Sequence, residues 1–115
     1  VFVTGEVPEA AALFGCFDLY ASASRCEGMP YGVMEAMACG LPVVATAVRG
    51  HVDLVEDDVT GRLVEPGDLA PAMAELLADP DRRKAMGEAG RERAEGFSVT
   101  RMAERTADVY REVKR

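Results

Sequence analysis

Two glutamates, Glu27 and Glu35, are separated by seven residues and bracket a glycine-containing loop that leads into a predicted helix. An ionised carboxylate only accepts hydrogen bonds, so it pairs well with the neighbouring hydroxyl groups of a sugar or a ribose. A helix N-terminus offers free N–H groups and partial positive charge, and it therefore suits a phosphate. The two features together predict a binding site for a sugar nucleotide.

The same two glutamates also have a structural interpretation, which the spacing alone does not exclude. Glu35, predicted in the first turn of the helix, would complement the helix dipole, and Glu27 would be a solvated loop residue. Each contribution would then stay below about 2 kcal/mol.

Two glycines, Gly28 and Gly32, stand in this loop with Pro30 between them. Each glycine alone is also explained by a turn that requires a positive φ. Together they would let the main chain approach a ligand closely enough for its N–H groups to make contact. Gly40 is instead predicted at the C′ position of the helix, with Pro42 as a stop.

The loop, the helix and the β-branched run after it form one unit of a predicted α/β fold. Strands and helices alternate along the first half of the chain, which predicts parallel strands. Open parallel sheets bind ligands at the carboxyl ends of their strands, and Glu27 follows such an end. Asp68 and Ser98 are predicted helix N-caps. The predicted strands are residues 1–4, 19–23, 42–46 and 60–64, and the predicted helices are residues 8–17, 33–39, 50–55, 69–77, 80–95 and 99–114.

Side chains outside the loop favour structural roles. Met102, Val109 and Tyr110 lie at helical spacing and predict a packing face on the last helix. The basic residues of helix 80–95 alternate with acids, which predicts a solvated face. His51 is predicted to be an exposed loop residue without a role in proton transfer.

The composition narrows the function classes. The chain has 115 residues and a formal net charge of −7, which predict one small domain without the clustered cations that nucleic acid requires. Three cysteines without metal-ligand spacing and a single histidine predict reduced thiols and no metal site. No apolar run has membrane-spanning length, and we expect a cytoplasmic protein.

Residues 24–46, SRCEGMPYGVMEAMACGLPVVAT, resemble the signature of the retaining GT-B glycosyltransferases in the glycosyl transferases group 1 family. The similarity extends over essentially the whole chain. It implies a Rossmann-like parallel sheet with flanking helices, part of the C-terminal domain of a GT-B fold. Residues 1–115 would be the later part of this nucleotide-sugar-binding domain, with 68–115 as its C-terminal helices. Because the chain begins at Val1 inside a predicted strand, we interpret it as truncated, with the N-terminal acceptor domain absent.

The resemblance implies roles for individual residues. Glu27 would accept hydrogen bonds from the transferred sugar and act in catalysis, while Glu35 would hold the ribose diol. The backbone of Val7 would lie near the nucleobase. The Met29-Pro30-Tyr31 segment replaces the Phe-Gly that is frequent in the family, which predicts a changed sugar or acceptor preference. The loop residues expected to bind the donor, mainly through their main chain, are Gly28, Met29, Pro30, Tyr31, Gly32 and Val33.

The activity implied by the resemblance is transfer of a hexose-type sugar, with retention, from a UDP-, GDP- or ADP-sugar and without a metal cofactor. The family's diphosphate-binding Arg/Lys pair would lie in the absent segment, so we expect the isolated chain to be inactive. Its partners would be the nucleotide-sugar donor and the absent domain, through which peripheral membrane contact is left open. The alternative is an orphan nucleotide-binding or structural module. A dinucleotide-dependent oxidoreductase is disfavoured because no G-x-G-x-x-G follows a strand.

Overall fold

A parallel sheet forms the centre of the computed structural model, which describes residues 1–114. Within these residues three strands lie side by side in chain order, β1 (Tyr20–Ser22), β2 (Val43–Thr46) and β3 (Gly61–Val64). All pairs are parallel. The parallel sheet expected from the alternation of strands and helices is therefore confirmed, although each strand is shorter than predicted.

Helices connect and cover these strands. The helix after β1 and the short helix after β2 return the chain to the sheet, and three longer helices follow β3. No helix within residues 1–114 is long and apolar enough to cross a lipid bilayer. The helices are α1 (Tyr31–Ala38), α2 (His51–Leu54), α3 (Leu69–Leu77), α4 (Pro80–Glu95) and α5 (Val99–Val113).

The core lies on both faces of β2, whose four residues are all buried. Val43 and Ala45 pack on one face with Met37 of α1, and Val44 packs on the other face with Leu76 of α3. This alternation follows from the two-residue period of a strand, and it explains why a continuous apolar run forms a central strand.

The N-terminal segment differs from the prediction. Residues 1–4 form no strand, and Phe2 is 98% exposed, because no described strand pairs with this segment and supplies its hydrogen bonds. The predicted helix 8–17 is a 3₁₀ helix, Ala10–Cys16, in which Phe14 is the one buried residue. A helix that buries a single residue gains little packing energy, so packing does not stabilise a regular α-helix in this segment.

The ends of the helices agree more closely with the predictions made from the sequence. Gly40 has a φ of 77°, and its N–H donates to Met37 O at 2.9 Å, as in a Schellman motif that ends α1. The Ser98 side chain accepts the Arg101 N–H at 3.2 Å and caps α5. Asp68 precedes α3 as predicted, but its side chain makes no capping hydrogen bond.

Helix α4 is not the solvated basic face that its sequence predicts. The Arg83 guanidinium donates to Leu76 O at 2.9 Å and to Leu77 O at 2.5 Å, at the end of α3. The Arg93 Nε donates to Leu54 O at 2.6 Å, at the end of α2. These cations satisfy carbonyl groups that a helix C-terminus leaves free, so α4 joins two other helices.

Helix α5 has no buried residue. Met102, Val109 and Tyr110, the predicted packing face, are all exposed. No other described element within residues 1–114 covers this face, so a packing partner for it stays a prediction.

Candidate functional site

The candidate site lies where β1 ends. The strand runs to Ser22, a loop carries Ser24 and Glu27, and α1 begins at Tyr31. Because β2 is parallel to β1, its own carboxyl end at Thr46 lies at the same edge of the sheet. This is the edge where open parallel sheets bind ligands.

The two predicted glutamates both influence the phenol of Tyr20. Burial raises the pKa of the Tyr20 phenol, and the negative charges of Glu27 and Glu35 raise it further. The negative charges of both carboxylates therefore act on the same phenol. Glu27 is half-buried, whereas Glu35 is exposed.

Glu35 does not lie in the first turn of its helix, which corrects the prediction. α1 begins at Tyr31, two residues earlier than expected, because Pro30 acts as the N-cap. The Pro30 carbonyl accepts the N–H groups of Val33 at 3.1 Å and Met34 at 3.2 Å. Glu35 is therefore one turn into the helix, where the dipole of the helix terminus acts on it less.

Neither Gly28 nor Gly32 has a positive φ, so a left-handed backbone conformation does not explain these glycines. A Cβ atom added at Gly32 would lie 2.5 Å from the Tyr20 hydroxyl oxygen, so glycine is needed there to make room for the phenol. A Cβ atom at Gly28 would meet no atom within 4 Å. Gly28 therefore lies beside open space at the mouth of the site.

The main-chain N–H groups of the loop divide into two sets. Tyr31 N–H donates to Met29 O at 3.0 Å, and Val33 N–H is taken by Pro30, which itself has no N–H group. Within residues 1–114, the N–H groups of Gly28, Met29 and Gly32 donate to no acceptor. These three remain available to a ligand, which narrows the set of main-chain donors expected from the sequence.

Glu27 is held by its neighbours. The Ser24 hydroxyl donates to Glu27 Oε1 at 2.6 Å, and the Ser24 carbonyl accepts the Thr46 hydroxyl at 2.5 Å. Gly50 has a φ of 91°, and a Cβ atom added there would lie 2.7 Å from Glu27 O. The end of β2 and the turn after it therefore fix the Glu27 loop.

His51 is fully buried, which contradicts its prediction as an exposed loop residue. Its Nδ1 lies 2.7 Å from Thr46 O and its Nε2 lies 3.1 Å from Ser22 Oγ. Because a carbonyl only accepts, Nδ1 carries a proton and donates it to Thr46 O. The ring thus joins the carboxyl ends of β1 and β2 beneath the Glu27 loop. No pattern in the sequence near His51 signalled this role, because its contact with Ser22 exists only in the folded chain.

Val7 is the predicted site residue that lies outside the loop and α1. It is half-buried in the irregular segment before the 3₁₀ helix, and no hydrogen bond links it to the loop 27–33 within the described residues. Its predicted contact with a nucleobase stays a prediction.

Positive charge near the site comes from two exposed arginines. Arg25 follows β1 and Arg49 follows β2, and neither forms an ion pair within residues 1–114. No group of three or more His, Cys, Asp or Glu side chains in the described part of the chain could hold a metal ion.

Comparison with known proteins assigns the chain to a family. The family described as glycosyl transferases group 1 matches residues 1–93. This chain is a member of that family. It is 40% identical over 94% of its length to the alpha-maltose-1-phosphate synthase of Mycolicibacterium smegmatis, of which it spans 29%. The family assigned from residues 24–46 is thereby confirmed.

Solved structures extend the similarity to the fold. A sucrose-phosphate synthase from Thermosynechococcus elongatus matches 90% of this chain with a TM-score of 0.84 and 34% identity, over 27% of its own length. The Anabaena protein HepE, solved in complex with UDP-glucose, matches 87% of the chain with a TM-score of 0.77 and 28% identity, over 29% of its length. The chain thus has the fold of part of a GT-B glycosyltransferase.

Proposed function

We propose that this chain supplies the donor-binding half-site of a glycosyltransferase that moves a hexose-type sugar, with retention, from a nucleoside-diphosphate sugar to an acceptor. One observation carries the proposal: the loop with Glu27 joins the carboxyl end of β1 to the start of α1, and within residues 1–114 the N–H groups of Gly28, Met29 and Gly32 are free there. Family membership and the UDP-glucose bound to HepE support it.

Glu27 contacts the sugar. Its Oε1 already accepts the Ser24 hydroxyl, so the carboxylate is oriented and its Oε2 remains for a sugar hydroxyl. Glu35 is exposed one turn into α1 and accepts the two ribose hydroxyls. Separate carboxylates for the sugar and the ribose leave the diphosphate between them.

The diphosphate meets the free N–H groups of Gly28, Met29 and Gly32. These donors are fixed before the ligand arrives, and they stabilise the negative charge that grows on the leaving diphosphate as the glycosidic bond breaks. The departing phosphate then assists the acceptor on the same face of the sugar, so no carboxylate needs to act as a covalent nucleophile. We expect this chain to bind the donor but not to transfer the sugar by itself.

Ligand-observed NMR with UDP, GDP, ADP and UDP-glucose tests the proposal. Glu35→Ala should weaken binding of the preferred nucleotide by about 1–3 kcal/mol, because it removes charge-assisted hydrogen bonds to the ribose. Glu27→Ala should leave the nucleotide bound and remove the added affinity that the sugar gives. Glu88→Ala, at an exposed glutamate of α4, is the matched control.

The outcomes separate the two functional hypotheses. A folded chain that binds one nucleotide and loses it in Glu35→Ala supports the donor half-site. A folded chain that binds none of the four ligands contradicts the proposal and favours the structural module. Equal weakening by Glu88→Ala would show that the loss of binding is not specific to Glu35 and would contradict its role in the site.

A further inference from the structure

The proposed function assigns no role to the hydroxyl group of Tyr20. This group makes no hydrogen bond within the described residues, although Tyr20 is half-buried. The hydroxyl oxygen is not fully buried, so solvent reaches it. A reachable hydroxyl without a partner can donate to a ligand.

The surroundings of Tyr20 fix where this hydroxyl points. The ring packs edge-on against Phe14, with 5.7 Å between ring centroids. The hydroxyl end approaches the main chain of α1 at Gly32, where even one added carbon would come within 2.5 Å of the oxygen. The phenol therefore reaches the residue whose N–H group is free at the start of α1.

The chemistry of the neighbours identifies the ligand atom. In a sugar nucleotide the diphosphate lies between the sugar and the ribose. In the proposed function the diphosphate meets the free N–H group of Gly32, and the Tyr20 hydroxyl approaches the same residue, so it faces the diphosphate. The negative charges of Glu27 and Glu35 repel a diphosphate, and a neutral O–H donor beside the diphosphate offsets part of that repulsion.

We propose that the Tyr20 hydroxyl donates a hydrogen bond to a diphosphate oxygen of the donor and acts with Gly32 as a specificity determinant for the diphosphate. This inference rests on the proposed function. The raised pKa of Tyr20 supports it, because the phenol keeps its proton and remains a donor throughout the neutral range.

Tyr20→Phe is the decisive variant, since it keeps the ring against Phe14 and removes only the hydroxyl. Ligand-observed NMR with UDP, UDP-glucose and uridine should show about tenfold weaker binding of the two diphosphates, as expected for one lost hydrogen bond to a charged group, and unchanged binding of uridine. Tyr110→Phe, at an exposed tyrosine of α5, is the matched control. Urea unfolding should give equal midpoints for the wild type and both variants.

Two further measurements test the geometry. Gly32→Ala should displace the phenol and weaken UDP as much as Tyr20→Phe does, without adding to it in the double variant. With ring-labelled tyrosine, UDP but not uridine should shift the Tyr20 Cζ resonance of the wild-type chain.

The result that overturns the inference is unchanged UDP binding in Tyr20→Phe, or equal weakening of UDP and uridine. If UDP binding depends on Glu35 but not on Tyr20, this inference fails and the proposed function stands. If the folded wild-type chain binds none of UDP, GDP, ADP and UDP-glucose, the proposed function fails and the inference falls with it.

Discussion

Gly50 is the glycine at which an added methyl group should most directly disturb the candidate site. Its φ of 91° lies in a region that L residues rarely adopt, which costs a side chain about 1–3 kcal/mol. The added Cβ atom would also lie 2.7 Å from Glu27 O and 3.0 Å from Glu27 Cβ. Main-chain atoms cannot rotate away, so the Glu27 loop must shift, at a further cost of about 1–3 kcal/mol.

Gly50→Ala should therefore lower the free energy of unfolding by about 2–6 kcal/mol, measured by urea denaturation and circular dichroism. The melting temperature should fall by about 10 °C or more, because each kcal/mol shifts a domain of this size by several degrees. In the molecules that remain folded, the displaced loop should weaken UDP-glucose more than UDP.

Two other glycines separate the cost of the backbone conformation from the cost of the steric contact with Glu27. Gly28→Ala lies in the same loop without a positive φ or an atom within 4 Å, and it should change stability by less than about 0.5 kcal/mol. Gly5→Ala has a φ of 71° and open space, so it reports the cost of the backbone conformation alone. The reasoning is refuted if Gly50→Ala shifts the urea midpoint no more than Gly28→Ala does.

Two further predictions concern titration and helix capping. Because burial, Glu27 and Glu35 raise the pKa of Tyr20, ultraviolet titration should show one tyrosine ionising above the usual value of about 10, and Glu27→Gln should lower that pKa. The folded state then holds this proton longer than the unfolded state, so the free energy of unfolding should fall as the pH rises above about 10, and a flat profile there would contradict the assignment. The Asp79 side chain accepts the Arg82 N–H at 3.0 Å, whereas Asp68 caps nothing. Asp79→Ala should cost about 1 kcal/mol in urea unfolding and Asp68→Ala much less, and equal losses would argue against this capping role.

The sequence by itself determined much of the architecture. The β-branched run at 42–46 predicted the central strand β2, and the alternation of strands and helices predicted parallel pairing. The bounds of α3 and α4 and the cap at Ser98 were also predictable. These features depend on periodicity and capping, which residues close in the chain encode. The spacing of Glu27 and Glu35 likewise predicted a site at a strand end.

Only the tertiary structure decided how that site is built. The fully buried His51 joins Ser22 and Thr46 across two strands, and no local pattern indicated this. The Tyr20 hydroxyl reaches the main chain of α1 because Gly32 has no side chain to exclude it. Residues 1–4, strand-like in sequence, form no strand where no described partner pairs with them. Burial, pairing and close approach involve residues that are distant in the chain, and such contacts exist only after the chain has folded.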